Sequence, residues 1–229
     1  MYVAIEGVIG VGKTTLARLL RPAFESEVLL EIFEENPFLS DFYGDRERYA
    51  FQTQIFFLLS RYHQQRRTVP GLLAAGKSLI SDYTFAKDAL FARINLKGDE
   101  LEMYYKVHEA LGEKIPKHYL MVYLRADTDV LMERIAFRDR SYERNMERDY
   151  IDRLNQAYED FFSKPHDSSP VLTIDTNPLN IIQNPEHLKL IENRIREKLN
   201  LSPFQPSLPL DNAPAGTVHA EDAPYRKQD

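Results

Sequence analysis

Eight residues near the start of the chain, Gly7-Val8-Ile9-Gly10-Val11-Gly12-Lys13-Thr14, constrain what the rest can fold into. They match GxxxxGK[ST] in full, between the apolar run Tyr2-Val3-Ala4-Ile5-Glu6 and a stretch of helical spacing over residues 14–20. A strand, a glycine-rich loop and a helix in that order make a phosphate cradle. The glycines let the backbone curl until several N–H groups point at one anion, and the helix adds its positive end. In this frame Gly7, Gly10, Val11 and Gly12 shape an ATP-binding loop. Lys13 supplies a cation to the β and γ phosphates, and the Thr14 hydroxyl is a hard ligand for Mg²⁺. Thr15 adds a hydroxyl near the α-phosphate.

The remaining pattern is α/β. Apolar runs at 28–32, 78–81, 119–124 and 171–174 read as four more strands. Between them lie helical spacings: a long amphipathic one over 49–66, a stretch from about 85, then 101–111, 131–137, 146–162 and 185–199. Asp127-Thr128 supply an N-cap, and Pro185 opens the last helix. Strands alternating with helices predict a five-stranded parallel sheet covered on both faces. The composition changes after residue 200. Residues 1–200 read as one catalytic domain, and 201–229, rich in Pro, Ala and Asp, as a disordered tail.

Composition excludes several classes. The 229 residues contain no cysteine, so disulfides, thiolate metal sites and a cysteine nucleophile are out, which fits a cytoplasmic setting. No apolar run reaches the roughly 18 residues of a membrane span, and the N-terminus lacks the pattern of a secretory signal. A net charge of -6 argues against nucleic-acid partners. Phosphate chemistry must therefore rest on locally placed Lys and Arg. A GTPase would need a guanine-reading NKxD, which is absent.

Two carboxylates at strand ends are candidates for the acceptor side. Glu31, ending the second strand, can accept the proton of an attacking hydroxyl; its neighbours Glu34 and Glu35 read as a solvated acidic turn. Asp82, ending the third, can hold Mg²⁺ or serve as the base itself. Arg134, Arg138 and Arg140 place three guanidinium groups where a helix loosens, a lid that closes over a triphosphate; the alternative is a solvated face paired with Asp139, Glu143 and Glu147.

Taken in order, these residues resemble the deoxyribonucleoside kinase family, and more closely its bacterial deoxyguanosine-kinase branch. Besides the phosphate loop, the likeness rests on Glu31 with Asn36-Pro37-Phe38-Leu39 and Phe42-Tyr43, and on Phe51-Gln52-Thr53-Gln54 through Ser60-Arg61. It continues in Ser81-Asp82-Tyr83, Phe91-Ala92 and Arg138-Asp139-Arg140-Ser141-Tyr142-Glu143. The resemblance implies ATP-dependent 5′-phosphorylation of a purine deoxyribonucleoside in nucleotide salvage, by a Mg²⁺-dependent homodimer. It makes Glu31 the base and puts Asp82 near Mg²⁺ and the 5′-hydroxyl. It puts Tyr43 and Glu143 on the 3′-hydroxyl, and Gln54 and Asp88 in the base pocket. Phe38, Phe42, Phe51 and Phe85 either sandwich the base or pack the core.

One departure stands out. Where the family motif has Arg after the acidic residue, this chain has Tyr83, as the deoxyguanosine-kinase branch does; the lost cation is either dispensed with or supplied by Lys87, Arg61 or the lid. Tyr83 therefore joins the expected substrate residues. Rival readings are a kinase of deoxycytidine, thymidine or a nucleoside monophosphate, and a nucleotide-binding regulator without turnover.

Overall fold

The computed structural model describes residues 1–144, 146–164 and 169–203. Five strands, β1 (Tyr2–Glu6), β2 (Ser26–Leu29), β3 (Ser78–Ser81), β4 (Leu120–Arg125) and β5 (Val171–Asp175), form one sheet in the order β2-β3-β1-β4-β5, every pair parallel. All of β1 and five of the six residues of β4 are buried, as a sheet covered on both faces requires. Among the described residues eight α-helices supply that cover: α1 (Lys13–Leu20), α2 (Leu39–Gly44), α3 (Arg46–Ala74), α4 (Lys87–Asn95), α5 (Gly98–Gly112), α6 (Thr128–Arg138), α7 (Arg148–Phe162) and α8 (Pro185–Lys198). Helices α1 and α8 pack together, while α3, α4 and α7 pack as a separate set. The chain leaves β1 for β2 on one side and crosses from β3 to β4 on the other. That reversal opens a crevice beyond the carboxyl ends of β1 and β3, where ligands bind in open α/β sheets.

Three departures from the sequence expectation matter. The second strand runs Ser26–Leu29 instead of 28–32, so Glu31 sits in the loop beyond it. The helix expected over 49–66 spans Arg46–Ala74. Asp45 caps it by accepting from the Arg48 N–H at 3.2 Å. It runs on past Pro70 because Val69, Leu72 and Leu73 bury against Tyr2, Leu29, Leu79 and Tyr83, and that burial offsets the lost backbone bond. Asp127 does hold the N-cap position of α6, but its side chain makes no cap hydrogen bond. The expected tail lies almost wholly in 204–229, outside the described residues.

Candidate active site

The glycine-rich loop folds as its pattern demands. Gly12, the N-cap of α1, has φ 102 and ψ 16, a left-handed conformation an L side chain strains to adopt. Gly7 is closed to any side chain, since a Cβ there would meet the Leu124 carbonyl oxygen at 2.4 Å. Lys13 Nζ donates to the carbonyls of Gly7 and Val8 at 2.7 and 3.1 Å, holding the ammonium over the loop. Burial and the nearby Lys87 charge push the Lys13 pKa down to about 8, against the opposing pull of Glu6, Glu31 and Asp82.

A cavity of about 830 Å³ runs from this loop across the crevice. Gly10, Val11, Gly12, Lys13, Thr14 and Thr15 line one end. Glu31, Asp82, Lys87, Gln54 and Arg61 line the other, with Tyr43, Arg138, Arg140 and Glu143 along the wall. Asp82 joins the two ends. Its Oδ2 accepts from the Thr14 hydroxyl at 2.5 Å, and its Oδ1 accepts from the Glu31 backbone N–H at 2.8 Å. The Glu31 carboxylate is gripped by two cations: Arg61 Nε donates to Oε1 at 2.9 Å, and Lys87 Nζ to Oε2 at 2.5 Å. Burial alone would raise its pKa, but Arg61 and Lys87 together hold it well below the usual carboxylate range.

Not every expected residue reaches the cavity. Gly7 lies behind the loop, against Leu124. Asp88 is fully buried behind Arg61, with which it forms an ion pair, so it meets the pocket through that guanidinium. Tyr83 is likewise fully buried and does not line the cavity, because successive residues point to opposite sides as β3 ends: Asp82 faces the crevice and Tyr83 the core. The Tyr83 hydroxyl donates to Gln64 Oε1 at 2.5 Å, and Gln64 Nε2 donates to the Leu30 carbonyl at 2.8 Å. Tyr83 thus steadies the residue next to Glu31. Phe38, Phe42, Phe51 and Phe85 are also absent from the lining, and Phe42, Phe51 and Phe85 pack in the main core.

The aromatic residues of the lining include Phe57 and Phe91 instead, beside Phe33, Tyr43, Phe137 and Tyr142. The Arg61 guanidinium lies 4.6 Å from the Phe57 ring centroid, and Lys87 Nζ lies 5.5 Å from that of Phe91. Helical spacing could have found both: Phe57 is three residues after Gln54 and four before Arg61, and Phe91 is four after Lys87. The buried Glu6, also missed, accepts from the Thr84 N–H and hydroxyl at 2.5 and 2.8 Å and from the Tyr158 hydroxyl at 3.1 Å. Only tertiary structure shows that convergence.

The lid arginines are each engaged. Arg138 makes a two-pronged pair with the buried Glu143, at 2.6 and 2.5 Å. Arg140 stands 4.1 Å from the Phe33 ring centroid and 3.8 Å from Glu143. Arg134 donates to Thr176 Oγ1 and the Thr176 carbonyl at 3.0 and 2.8 Å, tying α6 to the loop after β5. Of the alternative pairings, the one with Glu143 is thus made by Arg138 and Arg140, while Asp139 pairs with Arg144 and Glu147 with Arg46. Tyr43 stacks on Tyr142 at 6.2 Å, and burial raises its hydroxyl pKa well above the ordinary value.

A phosphate loop, two carboxylates on a shared network with it, and an arginine lid define a P-loop kinase fold and site. Residues 3–200 match the deoxynucleoside kinase family model, and the chain belongs to that family. It is 34% identical to a deoxyguanosine kinase of Bacillus subtilis over 86% of this chain and 96% of the relative. A deoxyadenosine kinase of Dictyostelium discoideum is 31% identical over 76% and 71%. Among solved structures, the deoxyadenosine kinase of M. mycoides with dCMP and dCDP bound superposes with a TM-score of 0.76, at 26% identity over 86% of this chain and all of that one.

Proposed function

We propose that this deoxynucleoside kinase transfers the γ-phosphoryl group of ATP to the 5′-hydroxyl of a purine deoxyribonucleoside, deoxyguanosine foremost and deoxyadenosine second, in nucleotide salvage. The observation that carries this is the Asp82 bridge: one carboxylate bonded to both Thr14 of the phosphate loop and the backbone of Glu31. Donor and acceptor ends are thereby held in one frame. Glu31 orients the hydroxyl and takes its proton as the bond to phosphorus forms. Lys13, Arg138 and Arg140 balance charge on the phosphates, Arg134 anchors the lid helix, and Tyr43 with Glu143 holds the sugar 3′-hydroxyl.

The purine rests on the far end of the cavity. Gln54 offers a donor and an acceptor together, as the edge of a purine base requires. The similarity to a deoxyguanosine kinase supports the same choice. The Thr14 hydroxyl and Asp82 carboxylate are the hard oxygens that Mg²⁺ takes, and they would hold it; bound there, it supplies charge neutralisation between the phosphates. Exposed Leu59 of α3 with Met103 and Tyr105 of α5 supports pairing of two copies across those helices. No helix among the described residues is long and apolar enough to cross a membrane, in keeping with a cytoplasmic salvage role.

A panel of deoxynucleosides and nucleoside monophosphates with ATP and Mg²⁺ tests this reading. Deoxyguanosine 5′-monophosphate is the expected main product. Turnover confined to pyrimidine nucleosides or to monophosphates would overturn it.

A further inference from the structure

We infer that Lys87 is a further catalytic residue, a cation that moves from Glu31 to the transferring phosphoryl group during the reaction. The inference rests on the proposed 5′-phosphorylation and adds a residue to it.

Position comes first. Lys87 opens α4, and its backbone N–H donates to Thr84 Oγ1 at 3.4 Å, while Thr84 is itself bound twice to the buried Glu6. The start of α4 is therefore anchored to the end of β1, from which the phosphate loop springs. The side chain is 6% exposed and lines the cavity, with Nζ 2.5 Å from Glu31 Oε2. From Glu31, Asp82 leads directly to Thr14, so three hydrogen bonds separate Lys87 from the residue beside Lys13. This is the ground the phosphoryl group must cross.

Three other cations on the cavity wall are committed elsewhere. Arg61 is divided between Glu31 and Asp88, and Arg134 donates to Thr176 on the donor flank. Arg138 is clamped on Glu143 and travels with the lid. Lys87 has Glu31 as its hydrogen-bonding side-chain partner and so stands beside the proposed base. The charges of Lys87 and Lys13 also oppose each other, a repulsion that an anion between them relieves. A lysine suits the task because its ammonium is a compact charge on a flexible stem, free to exchange one anion for another.

The step balances without any new covalent bond to the protein. The 5′-oxygen attacks the γ-phosphorus while the bond from that phosphorus to the β–γ bridging oxygen breaks. Its electron pair leaves on ADP, and the hydroxyl proton passes to Glu31. Lys87 contacts a non-bridging oxygen as charge spreads over the group, and its departure from Glu31 frees that oxygen of the carboxylate for the proton.

Full-length Lys87→Met and Lys87→Arg are compared with the parent protein for kcat, for nucleoside affinity by direct titration, and for melting temperature. The expected result is a fall in kcat of about 10²–10³-fold in Lys87→Met, the range for losing one preorganised transition-state donor. Nucleoside affinity should stay within a few-fold, and Lys87→Arg should recover at least tenfold of the lost kcat. A Lys87→Met enzyme with near-parental kcat overturns the inference. So does a loss of nucleoside binding in parallel with kcat that Lys87→Arg does not relieve, since that marks a purely structural prop for Glu31. Failure of the parent protein to phosphorylate any deoxynucleoside would overturn the proposed function as well, which separates the two failures.

Discussion

The two ends of the cavity are built by different means. The donor end is a backbone device: eight consecutive residues fold into the cradle, and its demands at Gly7, Gly10 and Gly12 concern the main chain. The acceptor end is a side-chain device. Glu31 comes from the loop after β2, Gln54 and Arg61 from α3, Asp82 from the end of β3, and Lys87 from α4. Four chain segments have to converge, and buried charges of both signs hold them there. A loop made of peptide groups binds any triphosphate, whereas a convergent set of side chains can be tuned to one acceptor. In the proposed reaction a generic half meets a specific one at Asp82, which bonds to both Thr14 and the Glu31 backbone.

Substitutions can break that division at either end. The largest effect belongs to the donor end. Lys13→Ala should lower kcat by on the order of 10³-fold or more in steady-state assays, since the charge it neutralises has no other fixed cation in the loop. At the acceptor end, Glu31→Ala should lower kcat by about 10²–10⁴-fold, the range for a general base. It should leave the KM for ATP nearly unchanged. If Asp82→Asn proves more damaging at unchanged Mg²⁺ affinity, the base is Asp82.

A pH profile sharpens the contrast further. The charged form of Lys13 is the one that serves, and its pKa in the free enzyme is pushed down to about 8. As pH rises through about 8 the ammonium is lost, so kcat/KM for ATP should fall about tenfold per pH unit above that point. Lys13→Arg, if active, should move this limb upward, because a guanidinium keeps its charge. The smallest effect is the most specific. Gln54→Ala should raise the nucleoside KM by about three- to tenfold, worth one net hydrogen bond, with no change in the KM for ATP. Equal effects on both substrates would show that the two ends are not separable.

The donor end was readable because a local pattern determines local geometry. GxxxxGK[ST] between a strand and a helix needs no partner from elsewhere, and the five strands followed from apolar runs that a doubly covered sheet requires. Helix limits were less readable. The burial of Val69 carries α3 past Pro70, and no rule of local propensity anticipates it. The same holds for Tyr83. The sequence shows only that it follows Asp82, whereas the fold turns it into the core and gives it Gln64 to hold. Two aromatic lining residues were missed for a similar reason: Phe57 and Phe91 differ from Phe42 and Phe51 in which helix face meets the cavity, and Phe85 lies just before α4.

The conformation of the phosphate loop, then, was determined by the sequence alone, since φ at Gly12 belongs to a strand–loop–helix unit, whereas the closeness of the Leu124 carbonyl in β4 to Gly7 is a tertiary contact. Tertiary structure decided the charge state of the acceptor site. Glu31 lies 30 residues from Arg61 and 56 from Lys87 along the chain, and only packing of α3 and α4 against the sheet brings both cations to its two oxygens. Electrostatic attraction and desolvation depend on distance and burial, which no linear pattern encodes.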